Sequence, residues 1–147
     1  MWRELIRECH PALEPLGGHD PGPEFFAGAT SDELADAERQ LGVPLPDDLK
    51  DLLAETDGVL VSFGQHLIWS IAEIVRRNLE MRTAPPYWEE YMPFDHLLFF
   101  GDAGVDGILF AFGMIHGRVR HQHVYMWNPI DDGRGWAAPS LRTYIEW

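Results

Sequence analysis

His121 and His123 stand two residues apart in a run of alternating residues, so one strand face would carry both imidazoles, with His116 close by. Two such groups can reach one metal ion. A zinc centre needs further ligands, and no cysteine motif or carboxylate at a defined spacing supplies them. Hydrogen-bonded histidines on a half-buried sheet face are the commoner outcome of this pattern. Asp102, Asp106, Asp131 and Asp132 form a second set, all in glycine- or proline-bearing turns. Paired carboxylates can exchange protons or hold a hard cation. The stretch from Asp102 to Asp106 has too few ligands for an EF-hand, and no glycosidase pattern is visible. Aspartate beside glycine also satisfies ordinary turn chemistry, and on a surface loop it can contact a partner. The loop from Gly101 to Gly107 has no lysine and carries two aspartates, so it would repel phosphate. Cys9 has only Arg3, Arg7 and His10 near it in sequence and reads as a small core residue of a short helix. The expectation is a chain without catalytic residues, cofactor or metal.

Side chains suited to recognition are more numerous. Trp69, Trp88 and Trp136 are candidate anchors, because a large ring buries much area at low entropic cost. Trp88, Trp136, Tyr87 and Tyr91 fall in expected loops, where they serve either as binding anchors or as a lid folded back on the core. The end of a sheet bearing Asp102, Asp106, Asp131 and Asp132 is the expected partner surface, and Asp47, Asp48 and Asp51 offer a second acidic patch.

The elements that must position these groups follow from periodicity. Trp2, Leu5, Ile6 and Cys9 mark a short amphipathic helix. Residues 10–29, rich in proline and glycine, read as an irregular connection that Phe25 and Phe26 pin to the body. Thr30 and Glu33 form a capping box for a helix with Leu34, Ala37 and Leu41 inward, stopped by Gly42. Pro46 opens a second helix with Leu49, Leu52, Leu53 and Thr56 inward, ended by Asp57-Gly58. Val59 to Phe63 and the residues up to Trp69 read as a hairpin. Ser70 and Glu73 cap a helix running to about Arg82, followed by a proline-rich loop. Strands are expected at Leu97–Phe100, Ile108–Phe112 and Val119–Trp127, with Val119, His121, His123, Tyr125 and Trp127 on one face. Pro129 to Gly135 reads as an acidic turn, and Ser140 caps a final helix. This order gives one α+β domain, an antiparallel sheet with helices packed against it.

Composition narrows the partner. The chain has 147 residues, one cysteine, 11 basic and 24 acidic side chains, and a formal charge of −13. One globular domain is expected, with six tryptophans and eight phenylalanines to build its core. A disulfide framework is excluded, and no apolar run approaches the length of a membrane span. The charged N-terminus lacks a signal-peptide core, so the expected compartment is the cytoplasm. The acidity disfavours nucleic acid and anionic membranes and favours a basic protein. It also serves solubility alone in many proteins.

Four segments together resemble the SUKH superfamily, of the SMI/KNR type. The first and most specific runs from Thr30-Ser31-Asp32-Glu33-Leu34 through Leu41-Gly42-Val43-Pro44-Leu45-Pro46 to Leu49, Leu52, Leu53 and Asp57-Gly58. The second is Trp69-Ser70 leading to Glu73; the third is Phe99-Phe100-Gly101-Asp102 with Gly107. The fourth is Val124 to Trp127, an acidic loop and the helix from Ser140 to Trp147. The likeness covers roughly residues 29–147, leaving residues 1–28 as an N-terminal helix and irregular extension. It implies a small α+β binding domain without catalysis. In bacteria such domains resemble immunity proteins that bind and block one toxin domain, often a nuclease, of a polymorphic toxin system. Fungal relatives imply the alternative of a regulatory scaffold in cell-wall signalling, without a toxin. A small metal-dependent hydrolase using the histidines and aspartates is the remote third reading. A nuclease presents Lys and Arg to its substrate, so an acidic inhibitor suits it.

Overall fold

The computed structural model describes residues 1–12, 20–83 and 90–147. Trp88 and Tyr87 therefore lie outside the described residues. Helices α1 (Trp2–Cys9), α2 (Ser31–Leu41), α3 (Asp47–Glu55), α4 (Ile71–Arg82) and α5 (Leu141–Glu146) pack with two antiparallel sheets. Strands β1 (Glu24–Phe25), β2 (Val59–Val61) and β3 (Gln65–Ile68) form the first sheet in that order. Strands β4 (Leu97–Asp102), β5 (Leu109–Ile115), β6 (Arg118–Asn128) and β7 (Gly133–Ala138) form the second, also in chain order. The α+β class is as expected, with two sheets where the sequence suggested one.

The helix boundaries follow local chemistry. Thr30, Ser70 and Ser140 each accept a hydrogen bond from the amide three residues on, at 3.1, 3.2 and 3.1 Å. Gly42 ends α2 in the left-handed conformation, with φ 69°, that a side chain disfavours. Each cap satisfies amides or carbonyls that the helix leaves open.

The two sheets meet along β3 and β4. The Trp69 amide donates to the Phe100 carbonyl at 2.8 Å, and Gln65 Nε2 donates to the Asp102 carbonyl at 3.0 Å. Gly101 is required at this crossing, because a Cβ there would sit 2.3 Å from the Leu67 carbonyl oxygen. The core runs through both sheets, with Trp69, Phe99, Phe100 and Phe112 its largest fully buried side chains. One aromatic cluster stacks Phe100 on Phe112, with Tyr144 edge-on to Phe100. A second packs Tyr91 and Phe94 edge-on to Trp127, at 5.3 and 5.2 Å. Tyr91 thus folds back as a lid over the sheet.

Several expectations need correction. Residues Gly133–Ala138 are a strand, β7, where the sequence read the end of a turn. Two glycines and small alanines hide its β-propensity, and pairing with β6 supplies what the side chains do not. The connection across residues 10–29 contains β1, paired to β2 through Glu24–Leu60 and Phe25–Val59. Its backbone is pinned at Phe26, whose amide donates to Thr56 Oγ1 at 2.9 Å, while the Phe26 ring stays exposed. Strand β6 does not present one continuous face: Gly113 opposes a bulge between Val119 and Val124, with His121 and Gln122 at φ 61° and 51°.

The N-terminal helix belongs to the same core. Trp2 and Ile6 are buried. The Glu55 carboxylate at the end of α3 accepts the Trp2 and Arg3 amides at 3.2 and 3.1 Å and pairs with the N-terminal ammonium at 3.2 Å. Burial pushes the Glu55 carboxyl up, but the Arg3 and Trp2 amides and the ammonium outweigh it, so it lies below its ordinary value. Glu55 caps α1 from a different helix. Glu55→Ala is expected to lower stability by about 1 kcal/mol, as loss of a helix cap does. Urea denaturation checks this; an unchanged midpoint would show that α1 docks without the cap.

Candidate functional site: the acidic end of the second sheet

Antiparallel pairing decides which loops meet. Register pairs Leu109 with Trp127, Asp102 with Leu109 and Asn128 with Gly133. The β4–β5 loop and the β6–β7 turn therefore emerge from the same end of the sheet. They touch there: a Cβ on Gly107 would lie 3.1 Å from Pro129 Cγ. Asp102, Asp106, Asp131 and Asp132 are thereby gathered at one end, though two strands of sequence separate the first pair from the second.

The four aspartates divide into two kinds. Asp102 Oδ2 accepts the Trp69 indole N–H at 2.8 Å, and Asp102 Oδ1 accepts the Gly104 amide at 2.9 Å. Asp132 Oδ1 accepts the Trp127 indole N–H at 2.7 Å and the Arg134 guanidinium at 2.7 Å, while Oδ2 accepts the Met92 amide at 2.9 Å. Burial raises the Asp132 carboxyl, but the Met92 amide, the Trp127 indole and Arg134 more than offset it, and its pKa falls below the ordinary value. These two carboxylates hold the loops in place. Asp106 and Asp131 are exposed. Among the described residues Asp131 accepts only a local hydrogen bond, from the Gly133 amide at 2.8 Å. Asp106 and Asp132 occupy the left-handed region, with φ 57° and 56°. Aspartate tolerates that region better than most other side chains do.

Each exposed acid is preceded in the chain by an exposed apolar side chain, Val105 at 62% and Ile130 at 81%. Each turn thus presents an exposed apolar side chain next to an exposed carboxylate, on a backbone fixed by side-chain hydrogen bonds. Preformed loops lose little entropy on association. Val105 and Ile130 carry no signal in the sequence; only the meeting of the two turns makes them notable.

The other candidates are elsewhere. Trp69 is 1% exposed, so its assignment as a surface anchor is corrected: the ring is core. The Arg77 guanidinium lies 4.4 Å over the Trp69 ring. What Trp69 contributes to the site is the indole N–H that fixes Asp102. Trp136 is exposed and stands edge-on to Trp147 at 6.4 Å, along β7 rather than at the sheet end. Asp47, Asp48 and Asp51 sit in the first turn and a half of α3, where acids suit the helix dipole. They do not join the four sheet-end aspartates.

The histidine pair stands on the bulge of β6. His121 and His123 rings stand 5.6 Å apart, and among the described residues no three His, Cys, Asp or Glu side chains could hold an ion. Cys9 is half-buried; burial and the neighbouring Glu146 and Glu8 raise its thiol pKa, the opposite of activation.

No single motif accounts for this arrangement, but the chain as a whole has a match: the SUKH_6 family model, described as SMI1-KNR4 cell-wall, covers residues 31–145. The chain belongs to the SMI1-KNR4 family. Comparison with curated proteins gave no match. The matched region runs from α2 through α5 and includes both turns of the acidic end. Helix α1 and strand β1 precede it, yet this member of the family builds them into its hydrophobic core. No helix among the described residues is long and apolar enough to cross a membrane.

Proposed function

We propose that this domain is a non-enzymatic protein-binding module of the immunity type, which captures a basic toxin domain in the cytoplasm and occludes its active site. The observation that carries this reading is the sheet end itself, where Val105 and Ile130 are exposed beside Asp106 and Asp131 on two turns locked by Asp102 and Asp132. An apolar centre with a charged rim is the general anatomy of a protein interface. The family supports a binding domain, and the charge of −13 supports a cationic partner such as a nuclease.

The partner is found by pull-down with the product of an adjacent toxin gene, and rescue of cells expressing that product tests immunity. Capture of a cellular regulator without rescue would favour the scaffold reading. The contact surface is tested by the double variant Asp106→Asn, Asp131→Asn. Asparagine keeps the left-handed backbone and the turn acceptor while removing both charges. Association at low salt should slow about tenfold and lose part of its salt dependence, with stability unchanged. Equal rates at low and high salt for variant and parent would remove this end from the steering surface. Asp132 is unsuited to the same test, because its loss would release the loop as well as the charge.

A further inference from the structure

The opposite end of the same sheet has the reverse character. A concave pocket of about 290 Å³ opens where β4 begins, β5 ends and the bulge of β6 turns back. His96, Arg120, His121, His123 and Arg134 line it, and no Asp or Glu does. In a chain with 24 acids and 11 bases, a lining of five nitrogen side chains is a local inversion, with the Asp132 carboxylate set behind it on Arg134.

The bases have different duties. Arg134 is committed to Asp132 and to the Met92 and Pro93 carbonyls, at 2.7, 2.7 and 2.8 Å. It also donates to His96 Nε2 at 3.0 Å. A guanidinium has only donors, so His96 Nε2 is the acceptor and its Nδ1 carries the proton. Burial, then the Arg134 charge, lower the His96 pKa against the opposing pull of Asp95 and Asp132, which agrees with a neutral ring. Arg120 is exposed and makes no ion pair among the described residues. His121 and His123, tilted against each other on the bulge, are likewise left to face the pocket. Leu97, Met114 and Tyr125 give the pocket an apolar lining. The Tyr125 ring lies so close over Gly113 that a Cβ there would be 2.8 Å from Cε2, so the glycine keeps the ring flat on the strand.

We propose that this pocket binds a small oxyanion, a carboxylate or phosphate ester, carried on a flat apolar body. Arg120 supplies the full positive charge and a two-pronged donor, the histidines add directional N–H groups, and the body rests against Tyr125 and Met114. The volume is at the lower end for a ligand site, which limits the body to about one ring. The Asp132–Arg134 pair links this site to the acidic end, but the test alters neither residue, so its failure leaves toxin capture through Asp106 and Asp131 untouched.

The test is an NMR titration of the full-length ¹⁵N-labelled protein with benzoate, phenyl phosphate, benzamide and inorganic phosphate. Benzoate or phenyl phosphate should shift the Gly113, Arg120 and Tyr125 amides saturably, with Kd near or below about 1 mM. Whichever anion binds more tightly identifies the preferred headgroup. Benzamide, which keeps the ring without the charge, should bind at least about tenfold more weakly, and so should benzoate or phenyl phosphate to the Arg120→Gln variant. Arg120 is exposed, so the variant keeps its fold, which the remaining amide shifts verify. No saturable shift with either aromatic anion, equal binding of benzamide, or unaltered affinity in Arg120→Gln would overturn the site. Inorganic phosphate binding as well as phenyl phosphate would overturn the role of the apolar lining.

Discussion

Asn78→Ala is expected to destabilise the domain by about 3 kcal/mol, more than any exposed substitution in it. Asn78 is 1% exposed on the inner face of α4. Its Nδ2 donates to the Ile74 carbonyl at 2.7 Å and to the Phe99 carbonyl at 2.8 Å, and its Oδ1 accepts the Phe99 amide at 2.9 Å. The side-chain amide thus stands in for a neighbouring strand, pairing with both backbone groups of one residue of β4. Phe99 lies at the point where β4 shifts register against β5, so its peptide groups need this partner. Alanine would strand the Phe99 amide and carbonyl in the core, at about 1–3 kcal/mol for each unsatisfied group, less whatever water recovers. Asn78→Asp should cost at least as much, because it removes both donors and buries a charge. Guanidinium denaturation measures the loss; a midpoint within error of the parent would show that β4 holds its edge without α4.

Asn78 also shows where sequence reading stops. Helix α4 was legible because Ile71, Ile74, Val75 and Leu79 repeat with helical spacing and Ser70 caps it. A polar residue within that helix carries no mark of burial in the sequence. Nothing local says that Phe99, 21 residues on, will bring an unpaired peptide to meet it. The same distinction separates the aspartates. That Asp106, Asp131 and Asp132 lie in turns was readable from their glycine and proline neighbours, whereas Asp102, read with them, is the last residue of β4. That two of them lock loops and two face solvent depends on Trp69, Trp127 and Arg134, which are assembled by tertiary packing. Strand β7 was hidden for a related reason, since its pairing with β6 outweighs a glycine-rich composition. Local chemistry announces caps and turns; long-range partners decide which of their side chains are locked and which face solvent.

The opposed ends of the second sheet bear on how the domain meets a partner. The acidic tips are set at one end and the histidine–arginine pocket at the other, with Arg134 reaching between them from β7. If the partner is the cationic protein proposed, the net charge draws it, and the exposed acids at one end against the exposed Arg120 at the other orient it. Orientation of this kind speeds docking without adding contacts to the final complex. The acidic end is therefore the end to vary first when association rates are measured.

Asp132→Ala should lower stability by about 3 kcal/mol at neutral pH and release the 90–96 segment from the sheet. Asp132 and Arg134 are only 15% and 12% exposed, so the pair is screened little by solvent. Removing the carboxylate leaves the Arg134 charge half-committed to the Met92 and Pro93 carbonyls and frees the Met92 amide and the Trp127 indole N–H. The lid that Tyr91 and Phe94 form over Trp127 then loses its strap. Asp132→Asn, which keeps one acceptor, should cost less, about 1–2 kcal/mol. Acid gives an independent check. The folded-state pKa of Asp132 is depressed, so its contribution is complete above the ordinary carboxyl range. It is lost progressively as pH falls through that range to the lower folded value, below which the carboxyl is protonated in both states. The stability difference between parent and Asp132→Asn should therefore be largest near neutrality and shrink in acid. Hydrogen exchange at the Met92 amide should quicken in the variant at neutral pH. A difference that stays constant from neutral pH into acid, with Met92 exchange unchanged, would mean that the strap is held by Arg134 and the aromatic contacts alone.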